Sequence, residues 1–152
     1  MNKAAKIAAA ALGVVSILCA ALGLFYNASS ILAGFSGAFQ KLVDDEKLSH
    51  FYPAFYTMSA VCVACYLILF FCGVEFLRSR FRFVWLFVAL LVFEVVYFLS
   101  IGVCWLMPIL GHTIGAATGV ANGGLMFQFL ILFPLWGAVL AFWTKRRFER
   151  SI

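Results

Sequence analysis

The chain has 152 residues and a net charge of +5, with 66% hydrophobic, 18% aromatic and only 11% charged residues. Soluble domains have about a quarter charged and roughly half apolar residues, so this composition excludes an ordinary soluble domain and predicts a membrane protein. The positive charge does not indicate nucleic-acid binding, because the basic residues lie in short stretches beside apolar runs.

The first apolar run covers residues 7–26 and follows Lys3 and Lys6. About 20 apolar residues cross a hydrocarbon core of about 30 Å, so this run predicts a transmembrane helix. A basic start before an apolar run is also typical of a signal peptide, here one cleaved near residue 21. We favour a retained helix, because the run is long for the apolar part of a signal peptide.

Residues 27–52 form the predicted first outer segment. Apolar residues recur there at spacings of three and four, which predicts a short amphipathic helix in the plane of the membrane interface. These residues are Ile31, Leu32, Phe35, Phe39, Leu42 and Val43. The acidic residues Asp44, Asp45 and Glu46 then end the pattern.

Three further apolar runs predict transmembrane helices at residues 53–77, 83–106 and 125–143. The short turn 78–82 makes the second and third spans antiparallel neighbours. Residues 107–124 form a second outer segment, of which the pattern leaves 111–124 open as helix or loop, and residues 144–152 form a basic tail. The four spans use the length of the chain, so we expect one membrane domain covering residues 1–152.

The distribution of basic residues predicts the orientation. Nine lie on one predicted side: Lys3, Lys6, Arg78, Arg80, Arg82, Lys145, Arg146, Arg147 and Arg150. Only Lys41 and Lys47 lie on the other. Because cytoplasmic loops carry the excess of Lys and Arg, both termini are predicted to be cytoplasmic. The expected fold is therefore an all-α, four-transmembrane-helix bundle in the plasma membrane, which in a bacterium is the inner membrane.

Glu94 stands in the middle of the third span. It lies about 16 Å from the start of that span at a helical rise, which is close to the bilayer centre. An unpaired charge at that depth costs on the order of several kcal/mol, so Glu94 is expected to face the bundle in a neutral form. It is either a proton or cation site or a structural acid that joins helices by hydrogen bonds, and we favour the structural role.

Counting inward from the cytoplasmic side places possible partners at the depth of Glu94. Tyr66 is expected to exchange a hydrogen bond with the acid, and Pro134 leaves the carbonyl of Leu130 without its helical donor. Tyr97 lies one turn from Glu94 on the same helix face. Together with Gln128, these tyrosines are the residues predicted to line any proton path.

Gly111, Gly115, Gly119 and Gly123 recur every four residues. On a helix they form a smooth stripe that lets another backbone approach closely. The stripe predicts either close packing within the chain or a seam between copies, and the sequence does not choose between them.

No enzyme signature is present, and no cofactor or metal is predicted. The pair Cys62 and Cys65 forms a CxxC, but all five cysteines lie in apolar runs and the outer loops contain none, so we interpret the pair as packing residues. No known family is identified from the residues.

Two functions follow. The favoured one is a non-enzymatic structural, accessory or assembly subunit that packs against itself as a homo-oligomer or against a membrane partner. The alternative is a small proton- or cation-coupled transporter or channel that uses Glu94. In both, the lipid bilayer is the main partner.

Overall fold

The computed structural model describes residues 3–105, 110–121 and 133–150, and this part of the chain is all helical, with no strand. The helices are α1 (Lys3–Phe35), α2 (Gln40–Asp45), α3 (Phe51–Leu77), α4 (Val84–Trp105), α5 (Leu110–Ala121) and α6 (Phe133–Glu149). Two of them, α1 and α3, are long and apolar enough to cross a membrane, and α4 adds the shorter apolar stretch Val84–Tyr97. The prediction of an all-α chain is confirmed.

The most extensive packing in the described chain joins α1 to α3, which run antiparallel. A stripe of small residues at spacings of three and four is buried along α1: Ala5, Ala9, Gly13, Ser16, Ala20, Gly23, Asn27, Ser30 and Gly34. Within this stripe, Gly13, Gly23 and Gly34 lie against α3. At one level the two backbones nearly touch, since a Cβ added at Gly13 would lie 2.8 Å from the carbonyl oxygen of Gly73. Small side chains allow this close approach, so van der Waals contact along the seam holds the two helices together.

The helix α1 continues nine residues beyond the predicted end of the first span. Asn27 and Ser29 fall at the start of the predicted outer segment, but both bond back to α1. Asn27 Nδ2 donates to the Gly23 carbonyl oxygen (3.2 Å), and Ser29 Oγ donates to that of Phe25 (2.9 Å). Because these side chains satisfy themselves four residues back, they do not interrupt the helix.

The predicted amphipathic helix over residues 31–43 is therefore divided in the structure. Its first part is the end of α1, and its second part belongs to the short helix α2. The break lies at Gly37, whose φ of +75° is a left-handed conformation that ends a helix at little cost for glycine. Six residues of α2 replace the longer interfacial helix that the spacing predicted.

The helix α5 lies in the segment that the sequence left open, and it packs against α3 and α4. Its buried residues include Thr113, Ala116, Ala117 and Ala121, and these alanines join Phe51, Phe55 and Leu48 in a second core at the start of α3. Residues 111–121 are thus helical and contact the rest of the chain directly.

The last described helix, α6, begins at Phe133, and the first eight residues of the predicted fourth span, 125–132, lie outside the described residues. It continues to Glu149, six residues into the predicted tail. An ion pair between Lys145 Nζ and Glu149 Oε1 (3.5 Å) and the basic residues of the last turn favour this extension, because cations stabilise the C-terminal end of a helix.

The turn after α3 and the end of α6 lie at the same end of the bundle. The rings of Phe81 and Phe148 are 5.4 Å apart, and Trp85 stacks edge-on against Phe142 at 5.0 Å. The start of α1 reaches this end as well, because Gly13 packs on Leu77. The basic stretches of the sequence, separate along the chain, are therefore gathered at one end.

Candidate functional site

Glu94 lies on α4 and is fully buried, with no exposed surface. Neither carboxyl oxygen has a hydrogen-bond partner among the residues that the structure describes. Buried polar atoms nearly always have such a partner, so an unpartnered carboxyl group in a bundle interior needs an explanation.

The predicted hydrogen bond between Tyr66 and Glu94 is not formed. The Oη atom of Tyr66 is buried and, like the Glu94 oxygens, has no hydrogen-bond partner in the described ranges of the chain. The two groups are close enough to interact electrostatically. The position of Tyr66 is fixed by Gly23 instead, because the ring lies directly over the glycine where any Cβ would overlap it. The phenol is held in place by packing, which sequence spacing does not reveal.

Three thiols complete the surroundings of the acid. Glu94 lies within electrostatic reach of Cys19 on α1 and of Cys62 and Cys65 on α3. Helices α1 and α3 thus bring weakly polar side chains near the carboxyl group on α4 within the part of the chain that the structure describes. No group of three His, Cys, Asp or Glu residues is placed to hold a metal ion within residues 3–105, 110–121 and 133–150.

Tyr97, one turn from Glu94, is engaged with α3. Its Oη donates to the Met58 sulfur at 3.1 Å, and its side chain also hydrogen-bonds to Cys62. The phenol therefore ties α4 to α3 beside the acid. Of the two tyrosines predicted to line a path, one is bonded to its neighbours and one, Tyr66, is not.

The sequence analysis missed two buried polar residues on the seam between α1 and α3. Asn27 Oδ1 and Ser59 Oγ are both buried and, like Tyr66 Oη and the Glu94 oxygens, have no hydrogen-bond partner among the described residues. The antiparallel pairing of Gly13 with Gly73 and of Gly34 with Phe55 places Asn27 opposite the stretch of α3 that contains Ser59. The position of Asn27 in the small-residue stripe of α1 was the signal that could have found it.

The remaining predicted residues are only partly within the described chain. Gln128, Leu130 and Gly123 lie outside it. Pro134 lies in the first described turn of α6, and the carbonyl oxygen of Leu130 that it was predicted to leave free is outside the described residues, so the free carbonyl stays a prediction.

Three of the four glycines that recur every four residues, Gly111, Gly115 and Gly119, lie on α5. Burial is described for two of them and differs between the two. Gly115 is buried and Gly119 is half-buried within this single chain. Gly111 belongs to the first turn of the same helix. The burial of Gly115 favours the first of the two predicted uses of the stripe, close packing within the chain.

The basic residues of the turn and of α6 lie over aromatic rings. Arg82 is 4.9 Å from the Phe83 ring centroid, Lys145 is 5.5 Å from that of Trp85, and Arg147 is 5.5 Å from that of Trp143. Such pairs place cations above apolar surface, as at the edge of a bilayer.

A scan against protein-family models and searches of curated proteins and of solved structures found no match to this chain. The function must therefore be argued from the site itself.

Proposed function

We propose that the chain is a four-pass membrane protein with both termini in the cytoplasm. The gathering of the turn and the end of α6 at one end of the bundle supports this orientation, because nine of the eleven basic residues then share one side. The outward faces of the helices are apolar, as lipid contact requires: Phe25, Leu32 and Val139 are each at least 68% exposed. At about 50 Å, α1 is longer than the hydrocarbon core of about 30 Å, so it tilts or extends beyond it on the outer side.

Within this architecture we propose a small proton- or cation-coupled transporter or channel that uses Glu94. The observation that carries this proposal is the complete burial of a carboxyl group with no hydrogen-bond partner in the described chain. A structural acid that joins helices does so by hydrogen bonds, and Glu94 makes none to the helices described around it. We therefore rank the transporter or channel ahead of the accessory subunit, which the sequence analysis favoured.

The chemistry of the site suits a proton or a small cation. A carboxyl group inside a membrane is tolerated when it is neutral or paired with a positive charge, so binding and release of one proton or cation switches it between two states. Tyr66 Oη, Ser59 Oγ and Asn27 Oδ1 are further buried oxygen atoms that have no hydrogen-bond partner among the residues described. These oxygens could replace part of the hydration shell of an ion on the way to Glu94.

The test compares substitutions of two glutamates, Glu94 and Glu75, in protein reconstituted into liposomes. The full chain is reconstituted with a pH-sensitive dye inside, and proton uptake is followed after an imposed potential, with Na⁺ or K⁺ outside in separate runs. Wild-type protein is expected to conduct or exchange ions, and Glu94→Gln is expected to abolish this, because glutamine cannot release a proton or neutralise a cation.

Glu75→Gln is the matched control, since it makes the same chemical change in an acid that already pairs with Arg78. It is expected to retain the wild-type flux. Both variants must elute as the wild-type assembly. Flux that survives Glu94→Gln, or a wild-type protein with no flux under any ion, would remove the transporter proposal.

The accessory-subunit function remains a second candidate because of the outward face of α1. Large apolar residues form a stripe there at helical spacing, on the side opposite the small-residue seam: Ile7, Val14, Leu18, Leu22, Phe25 and Leu32. A second helix would fit such a stripe. The mass of the native assembly in mild detergent, with its co-purifying chains identified, tests this, since a stoichiometric partner supports an accessory role and a lone chain contradicts it.

A further inference from the structure

The outward face of α6 carries a continuous groove against α4. Two depressions lie between α6 and α4, one at Arg146 and Trp85 and the other at Pro134 and Val92. A third, lined by α6 alone, joins them, because it shares Trp143 and Val139 with the first and Leu135 with the second. The joining depression and the one at Arg146 have volumes of about 520 and 510 Å³. We call this the α6 groove. It consists of Arg146, Trp143, Val139 and Leu135 on α6 and of Trp85 and Val92 on α4.

Apart from its mouth, the α6 groove is apolar and open. Val139 is 70% exposed, and Trp85 and Leu135 are each 64% exposed. Such a surface favours an apolar occupant, because open apolar grooves of this size on a protein mark sites of binding.

The mouth of the groove is positively charged. Arg146 lines it, and the cations on either side of Arg146 in the chain flank its aromatic walls, with Lys145 over Trp85 and Arg147 over Trp143. The carboxylate of Glu149 pairs with Lys145 and offsets one of these three charges. A net positive charge at the end of an apolar groove calls for an anion attached to an apolar chain.

The length of the groove agrees with one lipid leaflet. From Arg146 to Pro134, which lines the far depression, α6 rises about 18 Å. One leaflet of the hydrocarbon core is about 15 Å thick. An acyl chain whose headgroup lies at Arg146 would therefore reach the far end.

We propose that the α6 groove binds one anionic phospholipid of the cytoplasmic leaflet, with its phosphate at Arg146 and Arg147 and one acyl chain along Trp143, Val139 and Leu135. A second copy of this chain suits the groove less well, because in the same membrane orientation it would bring its own basic end against this one. The inference rests on the proposed membrane placement and is independent of ion transport by Glu94.

The experiment uses the full chain, purified in mild detergent and mixed with equal amounts of phosphatidylglycerol and phosphatidylcholine of identical acyl chains. Native mass spectrometry counts the lipids retained per protein. Wild type is expected to retain one phosphatidylglycerol with a preference of about tenfold, since each basic residue near a surface contributes appreciably to anionic-lipid binding. Arg146→Gln combined with Arg147→Gln is expected to lose that preference.

Two further variants distinguish lipid binding in the α6 groove from a general electrostatic attraction between the basic end of the bundle and anionic lipids. Arg80→Gln with Arg82→Gln removes the same charge from the same end of the bundle, away from the groove, and is expected to keep the preference. Val139→Phe fills the groove without changing the charge, and is expected to lower the retention of both lipids. Because Val139 is exposed, this variant should fold normally.

Equal losses from the two double variants, or equal retention of both lipids by wild type, would overturn the lipid site. The lipid site would also be overturned if a protein chain, either a second copy or another protein, were bound by wild type and displaced by Val139→Phe. If instead the wild-type protein is washed from membranes by alkaline carbonate, the membrane placement itself fails, and this outcome is distinct from the others.

Discussion

Two buried acids in this bundle have different surroundings. Glu75, near the end of α3, is 5% exposed, and its Oε1 lies 3.6 Å from Nη1 of Arg78, whose side chain is 62% exposed. Glu94, in the middle of α4, is fully buried and has no such partner in the described chain. The comparison shows that burial by itself does not define the role of an acid. Glu75 has a fixed counter-charge that reaches solvent, whereas no hydrogen-bond partner for Glu94 is found among the described residues.

The packing of α1 against α3 also differs between the level of Glu75 and the level of Glu94. Near Glu75, Gly13 and Gly73 bring two backbones together and leave no room for a third group. Near Glu94, Gly23 instead makes room for the ring of Tyr66. The small-residue seam is thus closed at one level, and at the other it holds a polar side chain beside the acid.

The largest effect on stability is expected from Gly23→Ala. The new Cβ would overlap the Tyr66 ring, which is fully buried, so the ring or α1 has to move. Overpacking of this kind lowers the free energy of unfolding by about 2 to 3 kcal/mol. The measurement is the unfolding midpoint in mixed detergent.

Two controls define the origin of that loss. Gly137→Ala, whose Cβ would meet only Phe133 ring atoms at 3.2 Å or more and Leu91 at 3.5 Å, should change stability by less than about 1 kcal/mol. In a Tyr66→Ala background, Gly23→Ala should become neutral or slightly stabilising, because the overlap is gone. An equal loss in both backgrounds would show that Tyr66 is not the cause.

The intermediate effect has the opposite sign. Glu94→Leu is expected to stabilise the bundle by about 1 to 2 kcal/mol, because it removes a buried group that has no hydrogen-bond partner. Glu75→Leu should show no such gain, since it also leaves Arg78 without its pair. Both variants are compared with wild type in the same unfolding assay, and a clear loss in Glu94→Leu would show that the acid is structural after all.

The smallest effect on stability is expected from breaking the ion pair between Glu75 and Arg78. Arg78→Gln should lower the free energy of unfolding by at most about 1 kcal/mol, because the arginine is exposed and the pair is screened by water and salt. The remaining difference from wild type should shrink further in high salt. A salt-independent loss well above that size would mean that Glu75 needs its partner as strictly as a buried ion pair does, and the contrast with Glu94 would weaken.

The sequence predicted the helical class, both ends of α3 to within two residues and the start of α4 to within one. Long apolar runs and the short basic turn carry that information locally. The end of α1 could not be predicted in the same way, because whether Asn27 and Ser29 end a helix depends on whether they bond to their own carbonyl oxygens or to water. The amphipathic spacing after Tyr26 was real but belonged to two helices.

For the site, the sequence determined which acid to examine, because Glu94 is the one carboxylate in the middle of a long apolar run and lipid makes such a charge costly. Its neighbours were decided by the tertiary structure alone. Gly23 positions the Tyr66 ring, Tyr97 is bonded to Met58 and Cys62, and the oxygens of Asn27 and Ser59 are left unpartnered in the interior. Each of these facts depends on the register between helices. That register is set by which small residues allow two backbones to approach, so it exists only once the helices have packed.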